Sequence, residues 1–354
     1  MNKSKNFLCL AACLLFLSVS INAQDQHFTQ FYASPLTLNP ALAGAFQGKY
    51  RLSLIYRDQA RNIVEEPYVT FSGAMDFRFP MGHRTTRVKD AIGAGILFYN
   101  DKVPGIGFST NQIYFNGAYH KSLGAKNDQY LSIGFQAGLS QRNVNYEKLT
   151  FDDQFNGSNG YTDPTSENLP ENNFAFSDYA VGLNYAYAPE RQTAIYAGFA
   201  LHHLLEPQVG FFFDEEAPED FEEELLNRKY TAYLNVSIPL NSDIRFSPRV
   251  LVYSQASHLA INAGFNFRFL LDEISGTALH IGGWARPVRD EDEAMDLDAI
   301  IMMAGVEYSN FLIGFSYDAA FGEISTARSG QTAFEISIAY LGEYVDETVV
   351  CPKF

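Results

Sequence analysis

The chain has few of the residues that stabilise a small exported domain. It contains 3 cysteines and 1 tryptophan among 354 residues, and Cys9 and Cys13 both lie near its start. Cys351 is then the only cysteine past residue 23, so an internal disulfide and a cysteine-based metal site are both excluded there. Basic residues are also scarce, since 25 Lys and Arg stand against 41 Asp and Glu. This balance excludes nucleic acid as an expected partner.

Long apolar runs are missing after residue 23, so no segment there predicts a transmembrane helix, which needs ~18 apolar residues or more. The one such run is Phe7–Val19, which follows two lysines and precedes Ala23. This arrangement predicts an export signal over residues 1–23, cleaved near Ala23. Cys13 resembles a lipoprotein cleavage site, but the apolar run continues past it, which favours ordinary cleavage. Loss of the two lysines moves the net charge from −16 to −18.

The rest of the chain is rich in alternating apolar and polar residues and holds 30 Phe and 21 Tyr. In "YLSIGFQAGLS" (130–140), leucine, isoleucine and phenylalanine alternate with serine, glycine and glutamine. The stretches 259–269 and 311–321 alternate in the same way. A period of two predicts β-strands. One apolar face and one small or polar face are typical of a barrel wall between lipid and a lumen.

Turn residues divide the alternating stretches into fourteen predicted strands, most of them 9 to 12 residues long. Their ranges are 49–57, 68–79, 91–100, 109–120, 129–142, 177–187, 193–203, 229–239, 244–253, 259–269, 278–287, 299–309, 311–321 and 331–341. This length matches the ~9–11 residues that a tilted strand needs to cross a bilayer. Strands of soluble proteins are shorter, at ~5–6 residues.

The predicted connections alternate in length along the chain. Several that follow odd-numbered strands are long, at 58–67, 143–176, 204–228 and 288–298, whereas those after even-numbered strands are mostly short. This asymmetry is typical of an outer-membrane barrel with an even strand number and short periplasmic turns. The interfacial tyrosines near strand ends, such as Tyr99 and Tyr187, agree with it.

We therefore predict an all-β chain with one transmembrane antiparallel up-and-down β-barrel of about 14 strands over residues 49–341. A short periplasmic or lumen-plugging segment, 24–48, precedes it, and a periplasmic tail, 342–354, follows it. The alternative is a soluble sandwich in which the apolar face of the strands is buried in a core.

The segment before the first strand has its own local signals. Asn39 suits an N-cap, Pro40 the first position of a helical turn, and Gly44 its end. We expect the apolar residues of this segment to pack against the barrel wall rather than face water. They are Phe31, Tyr32, Leu36 and Leu38.

No motif for catalysis, nucleotide binding or metal binding is found, so we expect no catalytic residues, metal ligands or cofactors and a non-enzymatic protein. Gly93 and Gly95 form "GAG" within a strand and are interpreted as small lumen residues. His202 and His203 are adjacent, and we expect neighbouring residues of a strand to face opposite sides.

Two acidic stretches, 214–224 and 290–298, follow odd strands and are expected on the cell surface. Their candidate partner-binding residues are Asp214, Glu215, Glu216, Glu219, Asp290 and Asp292. They would bind a cation or a basic partner. The alternative is that they only keep the loops solvated.

Several quoted stretches together resemble one family. They are "QDQHFTQFYASPLTLNPALAG" (24–44), "YRLSLIYRDQ" (50–59), "VTFSGAMDFRF" (69–79), "IGFSYD" (313–318), "AFEISIAY" (333–340) and the closing "CPKF". The chain resembles the PorP/SprF family of outer-membrane proteins of type IX secretion and gliding in Bacteroidetes. The residues that carry the resemblance most specifically are Asn39, Pro40, Ala41, Gly44, Tyr317, Asp318, Cys351, Pro352 and Phe354.

The resemblance implies a barrel that captures or anchors an exported surface protein, through its C-terminal domain, and couples to periplasmic lipoproteins. The expected surroundings are the outer membrane and its lipid bilayer. Two alternatives stay open at this point: a porin-like channel for small molecules, and a soluble exported β-protein that binds carbohydrate.

Overall fold

The structure is a computed structural model that describes residues 27–62, 64–81, 89–124, 126–158, 160–190, 192–211, 224–289, 294–321 and 332–342. Fourteen antiparallel strands form one closed barrel, in which each strand pairs with its neighbours in sequence and β1 pairs with β14. Closure leaves no unpaired strand edge, which a sheet surrounded by hydrocarbon requires. The predicted fold class is therefore confirmed.

The strands are 9 to 16 residues long. Their bounds are β1 Tyr50–Gln59, β2 Tyr68–Pro80, β3 Ala91–Val103, β4 Phe108–Ser122, β5 Gln129–Val144, β6 Asn173–Tyr187, β7 Ala194–His202, β8 Lys229–Pro239, β9 Ile244–Gln255, β10 His258–Asp272, β11 Thr277–Arg289, β12 Met295–Tyr308, β13 Phe311–Ala320 and β14 Thr332–Gly342. The ends agree with the predicted ones within about four residues.

The barrel has two unlike ends. Tyr50 and Gly342 pair at one end, where the connections after the even-numbered strands are mostly short and the longest is 81–90. We call this the turn end. The longest connections, 145–172 after β5 and 203–228 after β7, lie at the opposite end, which we call the loop end. The predicted long connection 288–298 is wrong, because β11 extends to Arg289 and β12 begins at Met295.

The two faces of the wall differ in chemistry, as the period of two predicts. On β5, the side chains of Ile133 and Leu139 are 58% and 63% exposed, whereas those of Ser132 and Ser140 are 1% and 0% exposed. The outer face is thus apolar and suits lipid, and the inner face is small or polar. The same division holds on β13, where Phe315 points outward and Ser316 inward.

In the part of the chain that the structure describes, helical structure is confined to single turns. Before β1 there are 3₁₀ turns at Phe31–Ala33 and Pro40–Leu42 and one α-helical turn at Pro35–Leu38. Three more 3₁₀ turns lie in the loops, at Pro104–Ile106, Tyr146–Lys148 and Asp152–Gln154. Among the described residues, every helix is too short or too polar to cross a membrane.

Candidate functional site

The described part of the N-terminal segment, residues 27–48, lies inside the barrel, and we call it the plug. It begins with the ring of His27, 4.8 Å from that of Tyr253 near the loop end, and it leads to β1 at the turn end. Most apolar side chains of the plug are buried, and Tyr32 and Leu42 are partly buried. Leu36 packs with Leu97 and Tyr114, while Phe31 and Leu38 pack with Leu251 and Tyr253. Burial of each such side chain stabilises the plug by about 1.5–3 kcal/mol.

The middle of the plug is the "NPALAG" motif. Asn39 caps the 3₁₀ turn, because its Oδ1 accepts a hydrogen bond from the backbone N–H of Ala41 at 2.8 Å. Its Nδ2 also donates to the wall, to the carbonyl oxygens of Leu183 at 2.9 Å and Phe199 at 3.2 Å. Gly44 follows the turn with φ of 70°, a conformation that favours glycine. One asparagine therefore shapes the plug and joins it to β6 and β7.

Glycines of the wall make room for the plug backbone. A Cβ atom on Gly93 would lie 1.8 Å from the carbonyl oxygen of Ala43, and one on Gly134 would lie 2.2 Å from the backbone nitrogen of Ala41. A Cβ atom on Gly182 would lie 1.9 Å from Oδ1 of Asn39. These distances are shorter than any van der Waals contact, so we call Gly93, Gly134 and Gly182 the glycine seat.

A buried charge network ties the start of the plug to the wall. Glu335 on β14 accepts hydrogen bonds from the backbone N–H groups of Thr29 at 2.7 Å and Gln30 at 2.8 Å. Its other contact is an ion pair with Nη1 of Arg57 on β1, at 2.6 Å. The carboxylate thus joins the plug to two strands that close the barrel.

Asp318 on β13 extends this network. It accepts a hydrogen bond from the hydroxyl of Thr29 at 2.7 Å and pairs with Arg57 at 3.2 Å and Arg286 at 2.9 Å. Arg286 also pairs with Asp298, at 2.7 Å. Since removing one member of a buried ion pair leaves an uncompensated charge, this network holds the plug only while it is complete.

A second network ties down the end of the plug. Asp76 forms a bidentate pair with Arg51, at 3.0 and 2.8 Å, and accepts a hydrogen bond from the N–H of Gly44 at 2.7 Å. Arg78 donates to the carbonyl oxygen of Gly44 at 2.7 Å. Nε2 of His120 lies 2.8 Å from the carbonyl oxygen of Ala43. The plug is therefore held at both of its ends by charged side chains.

The structure separates the residues that carry the family resemblance. Asn39, Pro40, Ala41 and Gly44 belong to the plug, and Asp318 holds it. Tyr317 points to the outer face of the barrel, where its side chain is 39% exposed. Cys351, Pro352 and Phe354 lie outside the described residues, as do the predicted signal peptide and residues 343–354 of the predicted tail, whereas Gly342 ends β14.

A cavity of about 260 Å³ lies between the plug and the loop end, and we call it the outer cavity. Residues of β3 to β9 and of the plug line it. Its lining includes the aromatic side chains of Phe28, Phe31, Tyr99, Phe108, Phe176 and Tyr253. It also includes charged side chains, among them Asp101, Arg142 and Lys229. Such a lining suits a ligand or a peptide that has both apolar and polar groups.

The expectation that His202 and His203 face opposite sides is wrong. Strand β7 ends at His202, and His203 has φ of 55°, so strand alternation stops there and both rings line the outer cavity. Nε2 of His202 lies 3.3 Å from the carbonyl oxygen of Leu38, and Nδ1 of His203 lies 2.9 Å from Asp178. Within the described residues, no group of three or more His, Cys, Asp or Glu side chains could hold a metal ion.

The acidic stretches are only partly described. Asp214, Glu215, Glu216, Glu219, Asp290 and Asp292 lie outside the described residues. Asp298 was expected in the second surface loop, and this expectation is wrong. Strand β12 begins at Met295, so Asp298 belongs to the wall, and its carboxylate forms an ion pair with Arg286.

Sequence reasoning missed the side chains that hold the plug. Five charged residues on the small or polar faces of the strands were not predicted to be functional. They are Arg51, Arg57, Asp76, Arg286 and Glu335. An ionisable residue at membrane depth is costly unless it is paired. That rule could have marked all five as members of a network.

The chain matches one known protein family over most of its length. The model of a family described as type IX secretion system membrane protein PorP/SprF matches residues 20–340. The chain belongs to the PorP/SprF family. This PorP/SprF protein is accordingly a membrane component of type IX secretion, and its barrel places it in the outer membrane. No curated protein matches the chain.

Solved barrels resemble the PorP/SprF protein only distantly. The toluene transporter TbuX of Ralstonia pickettii is 12% identical, with a TM-score of 0.45, and covers 88% of this chain and 93% of its own. The CymD monoaromatic hydrocarbon channel is 10% identical, with a TM-score of 0.48 and the same coverages. A FadL homologue of Pseudomonas aeruginosa is 12% identical, with a TM-score of 0.44, and covers 85% and 92%.

Proposed function

We propose that this protein is a non-enzymatic scaffold of type IX secretion and gliding. Its loop end captures or anchors an exported surface protein through that protein's C-terminal domain. Its turn end couples to periplasmic lipoproteins. The loop end faces outward in this proposal, because outer-membrane barrels have short periplasmic turns and long outer loops.

The observation that carries the proposal is the plug. The chain fills its own lumen with residues 27–48 and fixes them through Glu335, Asp318 and Asp76. A barrel built to pass small molecules needs an open path, whereas a scaffold needs only a rigid wall. The plug and the membership of a secretion family together therefore favour a scaffold over a porin-like channel.

The loop end offers an exposed aromatic pair for a protein partner. Phe155 and Tyr161 form an isolated bridge in the loop between β5 and β6, with ring centroids 5.4 Å apart. Their side chains are 47% and 52% exposed. Asn156 orders the tip, because its Oδ1 accepts hydrogen bonds from the N–H groups of Ser158 and Gly160. Rigid exposed aromatic residues are preferred anchors in protein interfaces.

The turn end offers a different surface. Ile274 stands in the turn between β10 and β11, and its side chain is 98% exposed. Leu240, in the turn between β8 and β9, is 57% exposed. In the proposal these turns, the 80–90 turn and the tail 351–354 face the periplasmic lipoproteins. The acidic residues of the stretches 214–224 and 290–298 are still predicted to contact the exported partner.

Capture from solubilised outer membranes tests the proposal. The wild-type protein, a Phe155→Ala/Tyr161→Ala variant and a Leu240→Ser/Ile274→Ser variant are each recovered under identical conditions, and bound proteins are identified by mass. We expect the loop-end variant to lose the exported protein and keep the lipoproteins. The turn-end variant should do the reverse, and it serves as the matched control for expression and folding.

Two results would contradict the proposal. The first is that the wild-type protein captures no secretion component from solubilised membranes. The second is that a strain without the protein keeps all of its surface proteins in place. Equal losses in both variants would also count against two separate binding surfaces.

A further inference from the structure

The outer cavity is a deep space that begins at the loop end. Four successive inward residues of β4 line it, Phe108, Thr110, Gln112 and Tyr114, and they cover about 20 Å of strand at about 3.3 Å per residue. Phe108, Thr110 and Gln112 are partly exposed although they face the lumen, whereas Tyr114 is buried. The cavity is therefore accessible from the loop end and closed at its inner end.

The plug forms the inner end of this cavity. Thr37 lines it and is partly exposed, whereas its neighbours Leu36 and Leu38 are buried. The hydroxyl of Thr37 donates a hydrogen bond to the carbonyl oxygen of Ser34 at 2.7 Å, within the plug itself. Gln136 of the wall also lines the cavity, and its Nε2 donates to the carbonyl oxygen of Leu36 at 3.3 Å. The plug thus presents a hydrogen-bonded surface to the space above it.

The size and the lining of the outer cavity suit an aromatic ring. Its volume is about 260 Å³, and a cavity of about 150 Å³ is enough for benzene. Rings line it from four different elements, with Phe28 of the plug, Tyr99 of β3, Phe176 of β6 and Tyr253 of β9. A ring that enters is therefore met by aromatic side chains from several directions, and aromatic pairs attract each other beyond their apolar burial.

The charges of the described lining favour an uncharged occupant. Asp101 and Asp178 balance Arg142 and Lys229, so the lining has no net formal charge when its histidines are neutral. Asp178 also accepts a hydrogen bond from the hydroxyl of Tyr114 at 2.8 Å. The other polar side chains of the lining include threonine hydroxyls and glutamine amides. These groups suit the neutral amides of a polypeptide.

A row of rings joins the outer cavity to the loop surface. Phe211 lies between Phe108 of β4 and Phe174 of β6, with ring centroids 6.2 and 5.0 Å away. The ring of Phe174 is 6.0 Å from that of Phe176, which lines the cavity. Strand β6 follows directly on the loop that carries the exposed aromatic pair. The cavity is thus continuous with the surface that is proposed to bind the exported protein.

We propose that the outer cavity receives an aromatic side chain from an extended segment of the exported protein. This inference rests on the proposed function, which brings that protein to the loop end. The ring packs among the aromatic side chains of the cavity, and the amides of the segment bind its threonine and glutamine side chains. The row of rings at the mouth packs against the part of the segment that stays outside.

Chemical labelling of one cysteine inside the cavity tests the insertion. Thr110→Cys is treated with a small charged methanethiosulfonate, and the rate is read from the peptide that contains residue 110. We expect rapid labelling of the purified protein and loss of most of this reactivity in the complex with the exported protein, recovered from outer membranes. Ser158→Cys, at the exposed tip of the β5–β6 loop, is the matched control for contact at the surface alone.

The two cysteines separate failure of this inference from failure of the proposed function. Recovery of no exported protein overturns both. Protection of Ser158→Cys without protection of Thr110→Cys overturns only the insertion. An unreactive Thr110→Cys in the purified protein also overturns it, because the cavity is then closed to solvent.

A variant that fills the cavity separates insertion from simple covering of the mouth. Thr110→Trp should reduce capture of the exported protein by about tenfold or more, since burial of one aromatic side chain corresponds to at least that factor in affinity. Thr110→Val is the matched control and should capture it as the wild-type protein does. Full capture by Thr110→Trp overturns the insertion. Should that variant fail to fold, the labelling experiment decides alone.

Two small amides test the chemistry of the occupant on the purified protein. N-acetyl-tyrosinamide should slow the labelling of Thr110→Cys, whereas N-acetyl-alaninamide at the same concentration should not. Equal rates with the two amides overturn the assignment to an aromatic side chain. Protection by N-acetyl-tyrosinamide without protection in the complex assigns the cavity to free aromatic compounds, which overturns insertion of the exported protein.

Discussion

Single residues of the lumen act on the plug in two opposite ways. Glycines of the seat, such as Gly134, leave space, whereas Asn39 fills hydrogen-bonding positions on the wall. The seat glycines and Asn39 both depend on the close approach of the plug backbone to the wall backbone, which no larger residue at these positions permits. The interior is therefore packed closely enough that one added methyl group has a cost.

We expect Gly134→Ala to destabilise the barrel or displace the plug, because its Cβ would lie 2.2 Å from the backbone of Ala41. Overpacking of this kind costs about 1–3 kcal/mol. The urea midpoint of the folded barrel, read from heat-modifiable gel mobility, measures it. Gly117→Ala is the matched control, since a Cβ there meets nothing within 4 Å. Equal midpoints for the two variants would show that the seat is not occupied by the plug.

Among the elements, the loop between β5 and β6 has an order of its own. Asp153 accepts hydrogen bonds from Ser166 and from the hydroxyl of Thr165 at 3.0 Å. These contacts join the 3₁₀ turn Asp152–Gln154 to a segment twelve or more residues later. The loop that carries Phe155 and Tyr161 is thus held by one carboxylate.

We expect this loop to lose order in acid while the barrel stays folded. The backbone N–H of Ser166, donating to Asp153, holds the pKa of that carboxyl below its usual value. A lowered pKa in the folded loop means that the stabilisation is present above the ordinary value, about 3.9, and is lost as the pH falls through the lowered pKa. Amide exchange at Ser166 measures it. In Asp153→Asn this amide should be unprotected, relative to the intrinsic exchange rate, at every pH, and a protection profile equal to that of the wild-type protein would disprove the role of Asp153.

At the scale of the whole molecule, the plug and the closure of the barrel depend on each other. Arg57, Asp318 and Glu335 come from β1, β13 and β14, which are the strands next to the closing seam. The network that binds Thr29 therefore also bridges that seam. Opening the lumen requires breaking buried ion pairs, which costs about 3–5 kcal/mol for each lost partner.

We expect the wild-type protein to show no steady conductance in planar bilayers, because the plug occupies the lumen. Glu335→Gln removes the charge that binds Thr29, Gln30 and Arg57, and it should produce transient openings. Glu307→Gln is the matched control, since it breaks a buried pair with Arg268 that makes no contact with the plug among the described residues. A steady open pore in the wild-type protein would favour the channel instead.

Much of the barrel could be predicted from the sequence, because a period of two is a local signal. The strand number and the apolar outer face follow from it. The start of β12 at Met295 was not predicted, because a bulge near Arg286 interrupts the pairing of β11 and β12 without changing the sequence period. The conformation of His203 was not predicted either, because a positive φ has no signature in the alternation of residues. The capping role of Asn39 was predictable, but its bonds to Leu183 and Phe199 were not.

By itself, the sequence determined that the chain forms strands with one apolar and one small or polar face, because this alternation is a property of neighbouring residues. Only the tertiary structure decided what fills the barrel. Thr29 meets Glu335 across 306 positions of the chain, and Gly93, Gly134 and Gly182 become one seat only once the barrel is closed. Partners so distant in sequence are selected by the shear and closure of the sheet, which no local pattern encodes.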